Sequence, residues 1–162
     1  MKKYLITLFA LFFLGGISCK EKSDIPKEEA AIKAVIEGEI KASFDGNYDD
    51  WTNFFVHESY VVWMQAWKDG YVSWKGWQDI DASGKQFIKP ERKGTIIFNG
   101  NSDYTIRLYK NAASVSFKCR STRISEGQNN EIDAMEFRIL EKNNGAWKIV
   151  YLSSIYLTTY KE

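Results

Sequence analysis

The chain has 162 residues, enough for one domain with its own hydrophobic core, and its 22 basic residues nearly balance 21 acidic ones. This near-neutral composition lacks the basic surplus of a nucleic-acid-binding protein, so no nucleic-acid partner is expected. One histidine and two cysteines are too few for a Cys/His zinc site, and we expect neither a metal nor another cofactor.

Residues 1–18 have the parts of an export signal. Lys2 and Lys3 are followed by an apolar core, residues 5–14, which is too short to span a bilayer with any margin. The small residues before Cys19 resemble a bacterial lipobox of the looser Bacteroidetes type, in which cleavage leaves the cysteine at the N-terminus for acylation. The resemblance predicts a lipidated Cys19, and the alternative is an ordinary cleaved signal with an incidental cysteine.

Residues 19–26 form a polar tether. Its charged stretch, residues 20–24, is similar to the segment with which such bacteria send lipoproteins to the outer surface. We therefore expect an outer-membrane lipoprotein of the cell envelope, periplasmic or surface-exposed, whose membrane contact is the lipidated Cys19. The other cysteine, Cys119, lies in an alternating strand pattern that predicts a small buried hydrophobe.

Helical periodicity predicts two helices after the tether. Residues 27–44 place their apolar side chains on one face of a helix, and Gly46 follows at the usual position of a left-handed C-cap. Asn47 is then suited to cap a second, short helix, with Asp50 in its favourable first turn.

The remaining pattern is rich in strands. A strand over 59–67, a turn at 69–70 and a strand over 71–74 lead into a third helix over 76–88. Long strands are expected at 104–108, 113–122, 131–142 and 146–157. Helices segregated from antiparallel strands predict an α+β domain over 27–160, in which a curved antiparallel sheet wraps around about three N-terminal helices.

Four short motifs carry a family resemblance. They are Phe44-Asp-Gly-Asn-Tyr-Asp-Asp-Trp51, Phe54-Phe-Val-His-Glu58, Trp74-Lys-Gly76 after the turn, and Asn144-Gly-Ala-Trp-Lys-Ile-Val150. Through them the chain resembles the NTF2-like superfamily, in particular its SnoaL-like and DUF4440-like members. The resemblance implies a cone-shaped α+β barrel with a cavity, and a homodimer through the sheet. It does not imply one activity, since this fold hosts isomerases, dehydratases, cyclases and non-catalytic binders.

Two positions weaken the expectation of catalysis. Isomerase-like members carry a base carboxylate where this chain has Trp63, and many DUF4440-like members carry a histidine where it has Ser153. Whether the protein is an enzyme stays open, and these two residues favour a non-catalytic domain.

Glu39 is the main candidate catalytic acid or base. On a helical wheel it lies within the apolar arc, where a carboxylate is driven towards its neutral form unless it finds a donor. One interpretation is a cavity acid or ligand anchor, and the other is a structural carboxylate paired with Arg107 or Arg138. Three polar residues are expected as helpers of a catalytic Glu39: Tyr60, Gln65 and Tyr151.

Aromatic residues supply the other candidate site. Five of the six tryptophans fall between positions 51 and 77, where they either form a platform for a ligand such as a sugar or pack in the core and an interface. The predicted ligand-binding residues are Trp51, Tyr60, Trp63, Gln65, Tyr151 and Ser153.

Two further features are interpreted as structural. Glu136 and Arg138 alternate with Met135 and Phe137; if the apolar pair fills the core, the charged pair lies on the opposite, solvated sheet face. The pairing partner of Glu136 would then be Arg120 or Lys118. The lone histidine, His57, is expected as a capping or surface group, with a general base as its alternative role.

Three hypotheses follow. The first is a membrane-anchored lipoprotein whose NTF2-like domain binds a small molecule, a glycan or a protein partner in or beside its cavity. The second is a small cofactor-independent isomerase, dehydratase or hydrolase that uses Glu39. The third is a structural dimer whose cavity is filled by its own side chains.

Overall fold

The computed structural model describes residues 25–157. The predicted signal, Cys19 and the tether up to residue 24 lie outside these residues. Within them the helices are α1 (Ile25–Phe44), α2 (Tyr48–Thr52) and α3 (Trp77–Phe87), with a 3₁₀ turn at Pro90–Arg92. The strands are β1 (Val62–Trp67), β2 (Gly70–Lys75), β3 (Ile96–Leu108), β4 (Ala112–Ser125), β5 (Gln128–Asn143) and β6 (Ala146–Tyr156). No helix of this region is long and apolar enough to span a membrane.

The junction between α1 and α2 forms as its local sequence predicts. Gly46 adopts a left-handed φ of 67°, and a Cβ there would lie 1.8 Å from the carbonyl oxygen of Lys89, so only glycine fits. The side chain of Asn47 accepts a hydrogen bond from the backbone N–H of Asp50 at 3.1 Å and so caps α2. This tight turn brings α2 back against α1.

The strands form one curved sheet in the order β2-β1-β6-β5-β4-β3. Neighbouring strands are antiparallel except β1 and β6, which run parallel. The α+β class and the curved sheet over N-terminal helices agree with the prediction. The sheet is mixed rather than purely antiparallel, because β1 pairs with β6 in parallel, and it is open rather than closed, with β2 and β3 as its edges.

The core lies between α1 and the inner face of the sheet. Ile32, Ile36 and Ile40 of α1 are buried, as are the alternate β4 residues Phe117 and Cys119. The prediction of a buried Cys119 is therefore confirmed. Burial raises the pKa of its thiol to about 12, so the thiol stays protonated and unreactive at neutral pH.

A bulge in β6 changes which of its residues face the core. The pairing with β5 shifts register between Ile139 and Leu140, opposite Val150. Ile149 is buried on the inner face before the bulge and Leu152 after it. The residues that turn outward after the bulge are Tyr151, Ser153 and Ile155.

Candidate functional site

Three buried charged residues form a cluster between α1 and the centre of the sheet. The guanidinium of Arg138 donates from Nη2 to Glu39 Oε2 at 3.1 Å and from Nη1 to Glu136 Oε2 at 2.7 Å. Trp51 Nε1 donates to Glu39 Oε1 at 2.9 Å, and Ser154 Oγ donates to Glu136 Oε2 at 2.8 Å. The cluster thus connects α1 and α2 to β5 and β6.

This geometry favours the structural interpretation of Glu39. Both of its carboxylate oxygens accept from buried donors, one from Trp51 and one from Arg138. The sequence suggested Arg107 or Arg138 as the partner of Glu39, and the structure shows that the partner is Arg138. A carboxylate held in this way is poorly placed to exchange protons with a substrate.

The expected orientation of β5 is wrong. Glu136 and Arg138 face the interior, whereas Phe137 is 39% exposed on the outer face. Glu136 pairs with Arg138 and neither with Arg120 nor with Lys118, which make ion pairs on the outer face. The reason is Glu39, because its carboxylate on α1 supplies the counter-charge that allows Arg138 to be buried.

The cluster has two carboxyl groups for one guanidinium. Burial raises the pKa of Glu136 above its ordinary value, although Arg138 and Ser154 oppose the change. Burial also disfavours the charge on Arg138, but the two carboxylates outweigh it and raise the pKa of the guanidinium. One guanidinium therefore pairs with two carboxyl groups. For Glu136 this pairing does not fully offset the cost of burying its negative charge.

A cavity of about 60 Å³ adjoins the cluster. At roughly 15 Å³ for each water it has room for about four, and its volume is well below the roughly 300 Å³ at which pockets for drug-sized ligands begin. Trp51 and Trp63, whose ring centroids lie 5.5 Å apart, fill the neighbouring space. The polar residues that line the cavity are Glu39, Ser43, Gln65, Ser121, Glu136, Arg138 and Tyr156.

Only some of the predicted site residues meet at this cavity. Glu39, Trp51, Trp63 and Gln65 line it. Tyr60 is 55% exposed and donates its hydroxyl hydrogen bond to Glu141. The residues that line the opposite face of the sheet are Tyr151 and Ser153.

Tyr60 and Tyr151 are therefore not placed to assist Glu39. Sequence reasoning missed the cavity roles of Glu136, Arg138 and Tyr156. The available signal was the placement of two charged residues within an otherwise apolar stretch of a long strand.

The outer face of the sheet carries a second, larger concavity. This outer groove, of about 550 Å³, is walled by Met64, Phe137, Ile139 and Ile155. Ser153 lies at its floor, where the hydroxyl is buried and has no hydrogen-bond partner within residues 25–157. The outer groove combines exposed apolar walls with an unsatisfied polar floor.

His57 lies away from both concavities. Its ring stacks on Trp77 with centroids 3.8 Å apart, and Nε2 lies 2.9 Å from the carbonyl oxygen of Thr52 at the end of α2. This is the expected capping and surface role. Within residues 25–157 no three His, Cys, Asp or Glu side chains come together as metal ligands.

Solved structures with a similar fold identify the fold of this chain. No protein-family model and no curated protein matches the chain. An NTF-2-like protein of unknown function from Shewanella oneidensis is 19% identical, covering 79% of this chain and 98% of that one at a TM-score of 0.58. A candidate dehydratase of the NTF2-like family from Streptomyces avermitilis is 10% identical, with coverages of 83% and 99% and a TM-score of 0.67.

A third similar structure is the association domain of C. elegans CaMKII. It is 15% identical, covers 80% of this chain and 95% of that one, and gives a TM-score of 0.63. At these identities the likeness establishes the fold alone. The chain has the NTF2-like fold, as its motifs predicted.

Removing the shared cation tests the cluster. We expect Arg138→Met to destabilise the domain by about 3–5 kcal/mol, because two carboxylates then stay buried without their counter-ion. Arg120→Met is the matched control, because it breaks only the exposed pair with Asp133 and should cost less than about 1 kcal/mol. Urea unfolding followed by tryptophan fluorescence measures both, and equal losses would contradict a central role for Arg138.

The raised pKa of Glu136 predicts a pH dependence. The ordinary pKa of a glutamate carboxyl is 4.5, so above pH 4.5 Glu136 loses its proton in the unfolded chain but still holds it in the native state. The stability of the wild type relative to Glu136→Gln should therefore fall as pH rises from 4.5, by up to about 1.4 kcal/mol per pH unit within the window. The exposed carboxylate of Glu131 gives the control, Glu131→Gln. If the difference in unfolding free energy between the wild type and Glu136→Gln stayed constant from pH 4 to 8, the prediction would be refuted.

Proposed function

We propose that this chain is a lipid-anchored protein of the cell envelope whose NTF2-like domain acts by association rather than catalysis. Its partner is a second copy, bound through the outer face of the sheet. The observation that carries the proposal is the outer groove, where Phe137, Ile139 and Ile155 are each more than a third exposed. Contiguous apolar surface of this kind marks interaction sites.

The interior supports association over catalysis. Glu39, the main candidate acid or base from the sequence, has both oxygens engaged by structural donors. The cavity beside it has room for about four waters, which is too little for the substrates of typical isomerases or dehydratases. The family resemblance implies catalytic groups at two positions, which this chain fills with Trp63 and Ser153.

The shape of the outer face suits self-association. The ring of Phe137 projects beside a pit whose floor is Ser153, and small residues of β4, Ser114 and Ser116, continue the pit. A two-fold axis places the projecting ring of each copy over the pit of the other, because isologous interfaces use the same patch twice. Such packing covers the apolar walls on both copies at once.

Charge on the same face is compatible with this arrangement. The ion pairs Lys118–Asp103 and Arg120–Asp133 lie on the exposed strands at the side of the outer groove. An apolar centre with a polar rim is the usual anatomy of a protein interface. The association domain of C. elegans CaMKII, which is among the similar structures, supports the same interpretation.

The anchor rests on Cys19 and the signal-like segment before it. The first turn of α1 is fixed to the β5–β6 end of the sheet, where Glu28 accepts hydrogen bonds from Trp147 and Lys142. The cavity is instead lined by Ser43 and Phe44 at the far end of the helix. A 20-residue helix is about 30 Å long, so the N-terminus of α1 lies far from the end of the helix that lines the cavity.

Charge placed in the outer groove tests the dimer. We expect residues 20–162 to sediment as a dimer and Phe137→Lys to sediment as a monomer, with at least about a hundredfold weaker association, because a buried ammonium would face its two-fold mate. Tyr109→Lys, in the turn before β4 and 61% exposed, is the control and should stay dimeric. A wild-type monomer at micromolar concentrations, or a dimer that survives Phe137→Lys, contradicts this partner.

The anchor has its own test. In cells fed a labelled fatty acid, the wild type should carry the label and fractionate with membranes, whereas Cys19→Ala should lose both properties. Cys119→Ala, at the chain's other cysteine, is the control and should keep them. An unlabelled, soluble wild type would point to an ordinary cleaved signal instead.

A further inference from the structure

β5 extends beyond its neighbour β6 at one end of the sheet. It begins at Gln128, whereas its pairing with β6 starts only at Ala134. Leu157 adds one more hydrogen bond, from its backbone N–H to the carbonyl oxygen of Asp133 at 2.8 Å. In the described part of the chain nothing pairs with this side of residues 128–132, which we call the open edge of β5.

The hydrogen bond of Leu157 shows which backbone groups point towards the open edge. In an antiparallel ladder, every second residue directs both its N–H and its C=O to the same neighbouring strand. Because Asp133 directs its carbonyl to the β6 side, the backbone groups of Glu131 and Asn129 point the same way. Both of these residues are exposed, and a strand edge with free N–H and C=O groups pairs readily with another extended segment.

The chain itself supplies the segment that comes next in this ladder. Residues 158–162 directly follow β6, and their Thr-Thr-Tyr start is of the types favoured in strands. The register of β5 and β6 puts Thr159 opposite Glu131. It also puts Lys161 opposite Asn129, where its ammonium is diagonal to the carboxylate of Glu131 on the same sheet face.

We propose that residues 158–162 dock on the open edge of β5 in the same molecule and so extend β6. Thr159 exchanges backbone hydrogen bonds with Glu131, and Lys161 exchanges them with Asn129. The open edge lies outside the outer groove, so this docking does not rest on association through that groove.

The docked segment lengthens one wall of the interior cavity. Tyr156 lines this cavity, as do Ile132 and Ala134 of β5. Because side chains alternate along a strand, those of Thr158 and Tyr160 share the face of Tyr156. They continue the wall along β5 past Ile132, so the segment acts as a strap over this end of the cavity.

Amide hydrogen exchange followed by NMR on residues 20–162 tests the docking. We expect the amides of Asn129 and Glu131 to exchange at least about tenfold faster when residues 158–162 are deleted, the effect of losing one or two net hydrogen bonds. The amides of Asn130 and Ile132 point to β4 in either form and should change far less. Equal exchange at Asn129 and Glu131 with and without the segment overturns the proposal.

Proline variants keep the test decisive if the shortened chain does not fold. Thr159→Pro removes the N–H that donates to Glu131 and should speed exchange at Glu131 as much as the deletion does. Thr158→Pro is the matched control, because the N–H of residue 158 points away from β5, and it should keep the protection. Equal effects of the two prolines would contradict the proposed register.

The same segment of a second copy is the other possible occupant of the open edge. Protection of Glu131 that is independent of protein concentration, and that persists in Phe137→Lys, supports docking within one molecule. Protection that disappears on dilution overturns it. Either result is separate from the sedimentation result, because Phe137 lies in the outer groove and not at the open edge.

Discussion

The structure depends on one interaction, the guanidinium of Arg138 held between Glu39 of α1 and Glu136 of β5. It attaches the long helix to the centre of the sheet at a point where the surrounding core is apolar. Because side chains alternate along a strand, an inward Arg138 requires an outward Phe137 and Ile139. The same interaction that places charge inside the domain therefore places apolar side chains outside it.

This arrangement separates two surfaces of opposite character. The inner cavity is small and lined by charged groups, whereas the outer groove is large and walled by apolar groups. In the interior, Arg138 hydrogen-bonds to both Glu39 and Glu136, and Trp51 and Ser154 donate to the same two carboxylates. An outer face that exposes Phe137 and Ile139 in water is stabilised by a partner that covers them.

Local signals explain what could be predicted from the sequence. Asn47 and Gly46 fix the α1–α2 turn through short-range geometry, and the wheel position of Glu39 pointed to an arginine partner. The orientation of β5 could not be predicted in this way, because Met135-Glu136-Phe137-Arg138 alternates equally well for either face. Ser153 and Tyr151 were displaced from the expected cavity by the bulge opposite Val150, which no period-two pattern reveals.

Hydrophobic burial alone would not decide the orientation of β5. Its outward residues Phe137 and Ile139 are as apolar as its inward residues Ile132 and Leu140, so exchanging the faces would bury a similar apolar area. The exchange would, however, separate Arg138 from Glu39 and leave that carboxylate buried among apolar side chains without its cation. The two orientations of β5 bury similar apolar areas, but only one of them pairs Arg138 with Glu39. The buried ion pairs therefore select the orientation of the strand.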